Sequence, residues 1–166
     1  MDMKNVYLEY KYPRWEDFPE IELYMDQVVS ILENNLEIFS RNEKIITPAM
    51  INNYVKQKIV KPPIKKKYDR VHLAYLYVVC MLKRFMPIGQ ICDGMAFVLK
   101  KYKIPEAYNL FCDEVEEAIS AIFEGGKVSS NENKSPEDLI IRSVARAVGN
   151  LTYANYMINN TKNETI

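Results

Sequence analysis

Residues 45–84 read IITPAMINNYVKQKIVKPPIKKKYDRVHLAYLYVVCMLKR, and the order of residue types in this stretch decides the fold. Thr47-Pro48 is a helix start, because threonine caps a first turn and proline suits the first helical position. Pro62-Pro63 prevents a helix from continuing through the lysines. Asp69 is a candidate N-cap for a long apolar helix. The stretch therefore predicts a short helix, a basic turn and a buried helix.

The short helix has an apolar side and a polar side. Ile51 and Tyr54 share the inward side at helical spacing, and Asn52, Asn53 and Lys56 point outwards. Asparagine pairs with the edge of adenine, and lysine contacts guanine or phosphate. Adjacent asparagines are poor helix formers, so helix propensity does not explain them. We predict a side that faces nucleic acid, with an ordinary solvated helix as the alternative.

Residues 58–68, here called the basic segment, follow that helix. Six lysines and no acidic residue lie between Lys56 and Lys67. The β-branched Ile59, Val60 and Ile64 flank the prolines, which favours two extended arms around a turn and hence a small wing. A lysine run that follows a candidate recognition helix predicts contacts with phosphate. The predicted phosphate contacts are Lys65, Lys66, Lys67 and Arg70.

The remaining sequence also favours helices, because apolar residues recur at spacings of three and four. The predicted helices cover residues 20–39, 48–58, 70–85, 87–102, 106–123 and 136–158. Alternation from Val6 to Tyr12 is typical of a strand. We expect an all-α helical bundle of about six helices that contains a winged helix-turn-helix-like segment. Residues 1–166 would form a single helical domain, with that segment at 45–86 and a C-terminal helical extension at 87–166.

Charge is balanced overall but unevenly placed. The formal net charge is zero, so the whole chain is not attracted to nucleic acid. Between Arg14 and Arg41 there are seven acidic residues and no basic one. This acidic stretch next to a basic one says more about partners than the balanced total does.

Several classes of function are disfavoured by composition. The three cysteines are not clustered, which argues against a disulfide framework and a zinc site. There is one histidine, with no Gly-rich phosphate loop and no nucleophile elbow, so we predict no enzyme, no metal and no cofactor. The N-terminus lacks a signal core and no apolar run has membrane-spanning length. We therefore expect a cytoplasmic protein without a membrane partner.

The quoted stretch resembles the DNA-binding head of MerR-type transcription regulators. In that family a recognition helix ending in tyrosine leads into a Gly-Leu-Leu-x-Pro turn, a basic wing ending in tyrosine, and a helix with an acidic or polar cap. Here Tyr54 ends the helix, and Lys58-Ile59-Val60-Lys61-Pro62 forms the turn, with Lys58 in the place of the glycine. Tyr68 ends the wing. The resemblance implies that Tyr54 braces the recognition helix or reaches the DNA backbone.

The whole chain resembles an uncharacterised bacterial family, domain of unknown function 1836. The residues that carry this resemblance are 12–15 (YPRW), 23–27 (LYMDQ), 46–56 (ITPAMINNYVK) and 66–68 (KKY). This family resemblance implies no particular activity.

Together these observations predict a bacterial DNA-binding transcription regulator with double-stranded DNA as its partner. The predicted DNA-binding residues are Thr47, Asn52, Asn53, Tyr54, Lys56, Lys65, Lys66, Lys67, Tyr68 and Arg70. The alternative is a protein-protein interaction module without DNA binding, in which acidic and basic faces bind a partner or pair two copies as a homodimer. Neither the operator nor a small-molecule effector can be named from the sequence.

Overall fold

The computed structural model describes residues 2–40 and 43–163, with side chains through residue 161. This part of the chain is all-helical, which confirms the predicted class. Its α-helices are α1 (Met3–Glu9), α2 (Met25–Leu36), α3 (Pro48–Lys56), α4 (Arg70–Leu82), α5 (Ile88–Val98), α6 (Ile104–Glu124) and α7 (Pro136–Asn163). Within the described ranges, no helix is long and apolar enough to cross a membrane.

The chain divides into two compact units. The 97–166 unit comprises the described parts of Met1–Tyr12 and Phe97–Ile166, and the 13–96 unit comprises those of Pro13–Ala96. The boundary falls within α5. The segment 45–86, predicted to hold the helix-turn-helix and wing, therefore lies wholly in the 13–96 unit.

Helix α4 forms the core of the 13–96 unit. Nine of its thirteen residues are buried, as expected of a helix that is apolar nearly all round. Helix α2 contacts both α3 and α4. The buried side chains of these two helices include Val28, Leu32 and Leu36 of α2 and Ile51 of α3. Each such side chain stabilises the fold by about 1.5–3 kcal/mol, and α2, which contacts both other helices, links α3 to α4.

The start of α2 differs from the prediction. A helix was expected from residue 20, but α2 begins at Met25 because the preceding residues are extended. Leu23 pairs with Tyr68 through two backbone hydrogen bonds of 2.8 Å. Leu23 is buried in this pairing, whereas a helix would withdraw its backbone from Tyr68. The Gln27 side chain accepts a hydrogen bond of 2.8 Å from the Tyr24 N–H and so caps α2.

The predicted strand from Val6 to Tyr12 is also wrong, because helix α1 covers Met3–Glu9. Asp2 caps α1 by accepting a hydrogen bond of 3.0 Å from the Lys4 N–H. The Tyr7 ring packs 5.6 Å from the ring of Phe123 in α6. An alternating aromatic pattern this short also fits one side of a helix, and packing on α6 decides between the two.

In the 97–166 unit, helices α6 and α7 run in the same direction. Asp138 at the start of α7 bonds Lys101, just before α6, at 3.0 Å. At the far end, the Tyr153 ring lies 5.1 Å from Phe123. Residues 125–135 must therefore return along the helix pair, and an extended segment of this length covers the roughly 30 Å of α6. Arg146 donates a hydrogen bond of 2.8 Å to the Ser129 carbonyl and holds the returning segment.

Candidate nucleic-acid interface

Helix α3 begins and faces as predicted. The Thr47 hydroxyl accepts a hydrogen bond of 3.2 Å from the Met50 N–H, and Pro48 is the first helical residue. Ile51 is fully buried and Tyr54 nearly so. The exposed residues of α3 include Asn52, Asn53 and Lys56. The side of α3 that the sequence assigns to nucleic acid is therefore on the surface.

Lys58 ends α3 in the left-handed conformation, with φ of 60°. The Ile59 N–H donates to the Tyr54 carbonyl at 2.9 Å, and the Lys58 N–H donates to the Val55 carbonyl at 3.0 Å. These two bonds form a Schellman motif, whose left-handed position is usually glycine. An exposed lysine occupies that position instead. The predicted site does not include Lys58. The sequence did carry a signal for its left-handed conformation, because Lys58 stands where the MerR-type turn has glycine.

The tip of the basic segment is a two-residue hairpin. Ile64 and Lys67 exchange both backbone hydrogen bonds, at 3.1 and 2.9 Å. Lys65 and Lys66 between them have φ of 49° and 63°. Two positive φ angles in a two-residue loop are the requirement of a type I′ turn, which asparagine and glycine prefer. Here both positions are exposed lysines.

The base of this hairpin is fixed to the start of α4. Buried His72 places Nε2 3.1 Å from the Lys61 carbonyl and Nδ1 2.7 Å from an Asp69 carboxylate oxygen. Lys61 Nζ bonds the other Asp69 oxygen at 2.7 Å. Tyr68 is buried and pairs with Leu23. His72 therefore has a structural role, and in the described ranges no cluster of three potential metal ligands exists.

Asp69 stays ionised because of these partners. Partial burial alone would raise the pKa of its carboxyl, but hydrogen bonds from Lys61 and His72 lower that pKa to about 2. Asp69 also caps α4 by accepting a hydrogen bond of 3.1 Å from the His72 N–H. A charged Asp69 thus holds both the helix start and the first arm of the hairpin.

Lys83, the residue that follows α4, holds α3 in place through its ammonium group. Its Nζ lies 2.5 Å from the Ile45 carbonyl oxygen, 3.4 Å from the Tyr54 hydroxyl and 3.6 Å from the Met50 sulfur. The charge also lies 5.9 Å from the centre of the Tyr54 ring. These contacts link the end of α4 to the residues around α3. Tyr54 is consequently a brace inside the unit, with its ring away from solvent.

Two of the predicted phosphate contacts already face groups of their own unit. Arg70 Nε donates to the Phe18 carbonyl at 2.8 Å, and its Nη2 lies 3.6 Å from Glu20. Lys67 Nζ lies 4.0 Å from Glu22. Both side chains therefore have intramolecular partners, and an external phosphate would compete with them.

Four other lysines have no such partner in the part of the chain that the structure describes. Within residues 2–40 and 43–161, no carboxylate lies within 4.0 Å of their ammonium groups. This group, here called the lysine set, consists of Lys56, Lys58, Lys65 and Lys66. It extends from the last turn of α3 to the hairpin tip, inside one unit. Its charge is available to a partner of opposite sign.

The chain belongs to the family described as "Domain of unknown function (DUF1836)", whose model matches residues 13–118. This range includes the whole of α2, α3, α4 and the basic segment. Comparisons with curated proteins and with solved structures found no match.

Proposed function

We propose that this chain is a DNA-binding regulator that contacts duplex DNA through Asn52, Asn53 and the lysine set. The observation that carries the proposal is the left-handed backbone of Lys58, Lys65 and Lys66. A lysine in this conformation costs roughly 1 kcal/mol relative to glycine. Among the residues that the structure describes, these three side chains gain no ion pair that would offset the cost. An anionic partner outside the chain explains why lysines stand there.

Duplex DNA fits this surface better than an anionic protein does. A row of phosphates at regular spacing suits separate point charges on a helix end and a hairpin tip. The two adjacent amides of α3 add the groups that pair with adenine in the major groove. An anionic protein surface has no base edges with which these amides could pair.

The resemblance to MerR-type heads supports the same proposal. The order is a capped helix, a turn, a basic hairpin and a buried helix, and Lys58 has the conformation for which that family uses glycine. In this arrangement Thr47 caps the reading helix, while Tyr54 and Tyr68 support it from inside. Lys67 and Arg70 are secondary contacts, because each must leave a carboxylate. A regulator of this kind would act in the bacterial cytoplasm.

Fluorescence anisotropy with pooled genomic duplex fragments tests the proposal. With about four phosphate contacts per protomer, the logarithm of the association constant should fall with log salt at a slope of about −3.6. The control is a variant with Lys127→Gln and Lys134→Gln, which removes two exposed charges from the 97–166 unit and should leave the slope unchanged. Folded protein that binds no duplex at low salt would refute the proposal.

A protein-interaction module is the second candidate. It is favoured by exposed apolar side chains, namely Ile64 within the basic segment and Ile21 and Tyr24 in the residues that precede α2. Co-purification after nuclease treatment separates the two functions, because a protein partner survives nuclease and a partner bridged by DNA does not.

A further inference from the structure

The ring of His72 joins the first arm of the hairpin to the start of α4. It is the one histidine of the sequence, and 2% of its surface is exposed. Its Nε2 lies 3.1 Å from the Lys61 carbonyl oxygen, which can only accept a hydrogen bond. Nε2 therefore carries a proton whether the ring is neutral or charged. The charge of the ring is then decided at Nδ1 alone.

Nδ1 of His72 faces two groups that make opposite demands on it. It lies 2.7 Å from a carboxylate oxygen of Asp69 and 3.0 Å from the backbone nitrogen of the same residue. The carboxylate is ionised near neutral pH, because the bond from Lys61 outweighs burial and lowers its pKa to about 2. An ionised carboxylate only accepts, and a backbone N–H only donates. A neutral ring with a lone pair on Nδ1 suits the N–H, whereas a doubly protonated ring suits the carboxylate.

We infer that His72 is a protonation switch that fastens the base of the hairpin. When both ring nitrogens carry protons, the ring donates to the Lys61 carbonyl on one side and to the Asp69 carboxylate on the other. Asp69 in turn holds the Lys61 ammonium at 2.7 Å on its other oxygen. The charged state thus ties Lys61 to the start of α4 through both its carbonyl and its ammonium group.

Loss of the Nδ1 proton opens the switch. A lone pair on Nδ1 would lie 2.7 Å from an ionised oxygen of Asp69, and two acceptors at that distance repel each other. The Asp69 side chain would turn away, which weakens its bond to the Lys61 ammonium and its cap on the His72 N–H. The ring keeps its bonds to the Lys61 carbonyl and the Asp69 N–H. The hairpin therefore stays attached through its backbone, but less firmly.

Among the described residues, the ionic partner of His72 is Asp69. The Tyr68 ring packs edge-on at 5.1 Å, and burial raises the pKa of its phenol, so Tyr68 is uncharged. The other charged residues around the hairpin and the start of α4 face each other in pairs, Glu20 with Arg70 and Glu22 with Lys67. Helix α2 also contacts α4, and its two acidic residues, which make no ion pair with His72 in the described ranges, are Asp26 and Glu33. Protonation of the ring is thus coupled to Asp69 first.

Nuclear magnetic resonance of the full chain tests the switch, because a single histidine gives an unambiguous ring signal. Nitrogen–proton correlations show which ring nitrogens carry protons between pH 5 and 8, where histidine ordinarily changes its charge. We expect protons on both nitrogens at the lower pH and on Nε2 alone at the higher. The Ile64 and Lys67 amides, which pair across the hairpin, should lose at least about threefold in hydrogen-exchange protection along the same titration.

His72→Gln is the matched variant that cannot titrate. Glutamine at this helical position reaches back to the N-cap N–H, as in a capping box, and so keeps one bond of the neutral ring. Its hairpin amides should show the lower protection throughout the range. A wild-type ring that keeps one protonation state, or a titration that leaves the hairpin amides unchanged, would overturn the inference. The wild-type titration decides the question even where this buried variant does not fold.

The switch would also make DNA binding depend on pH, and this clause rests on the proposed function. A firmly held hairpin presents Lys65 and Lys66 in one arrangement, which lowers the cost of ordering them on a duplex. Duplex affinity should be at least about threefold higher at pH 5.5 than at pH 7.5, and less dependent on pH in His72→Gln. Equal wild-type affinities at the two pH values would refute this regulation. A ring that titrates together with the hairpin, in protein that binds no duplex, would refute only the proposed function.

Discussion

Replacing Lys65-Lys66 by Asn-Gly should raise stability and lower DNA affinity together. Both positions have positive φ, and Asn-Gly is the pair that a type I′ turn prefers. We expect the free energy of unfolding to rise by roughly 1 kcal/mol, since relief of the left-handed lysines is partly offset by the greater freedom of glycine in the unfolded chain.

In the proposed complex, the same replacement would remove two of about four phosphate contacts. The salt slope should therefore fall from about −3.6 to about −1.8. At 0.1 M salt, the lost contacts correspond to a decrease in affinity of roughly sixtyfold. A change that improves the fold and damages binding separates the function of the lysines from their structural role.

Urea denaturation measures the first effect, and fluorescence anisotropy over a salt series measures the second. The matched control is the Lys127→Gln, Lys134→Gln variant, which has the same net charge change. An unchanged salt slope would refute the phosphate role of the hairpin tip. A loss of stability would refute the account of strain.

Three further outcomes follow from the same structure. Lys58→Gly should stabilise the chain by roughly 0.5–1 kcal/mol and reduce the salt slope by about 0.9, by urea denaturation and anisotropy. Asp69→Asn keeps an N-cap but removes the charge, and the folded pKa of Asp69 is lowered to about 2. The charge of Asp69 therefore stabilises the fold above pH 4, and this stabilisation is lost as pH falls towards 2. Because the side chain is 41% exposed, the stabilisation should be at most about 1 kcal/mol. It is measured by comparing the unfolding free energies of variant and wild type at pH 2 and at pH 6. Gly149→Ala should gain less than the roughly 1 kcal/mol that the helix propensity of alanine offers, because its Cβ would lie 2.9 Å from Ile122 Cδ1 and 3.3 Å from the Ala118 backbone. A gain of the full amount in urea denaturation would contradict this close approach.

The helix boundaries with chemical caps could be predicted from the sequence. Thr47-Pro48 and Asp69 supply side chains or ring geometry that act within one turn, so their effect does not depend on distant residues. The inward and outward sides of α3 follow from helical periodicity for the same reason. These local signals place the predicted reading side on the surface.

Non-local pairing could not be predicted. The extended residues before α2 are set by a bridge from Leu23 to Tyr68, 45 positions away. The parallel arrangement of α6 and α7 depends on contacts such as that of Lys101 with Asp138. The intramolecular partners of Arg70 and Lys67 could not be predicted from sequence either, because Glu20 and Glu22 reach them only once Leu23 has paired with Tyr68.

The conformation of the lysines lies between these cases. Lys58 stands where the MerR-type family has glycine, and this difference pointed to its positive φ. No residue type gave this signal for Lys65 and Lys66, because lysine is common in ordinary exposed loops. Their geometry follows from the two-residue hairpin, which only the pairing of Ile64 with Lys67 creates.

Selection of bound sequences from random duplex DNA tests the central claim most directly. The wild-type chain should enrich a motif that contains adenine, since in the proposed complex Asn52 and Asn53 would present amides to the major groove. A variant with Asn52→Ala and Asn53→Ala keeps the lysine set and should still bind duplex, but without that motif. Absence of any enriched motif with the wild-type chain, or the same motif with the variant, would contradict reading of DNA by α3.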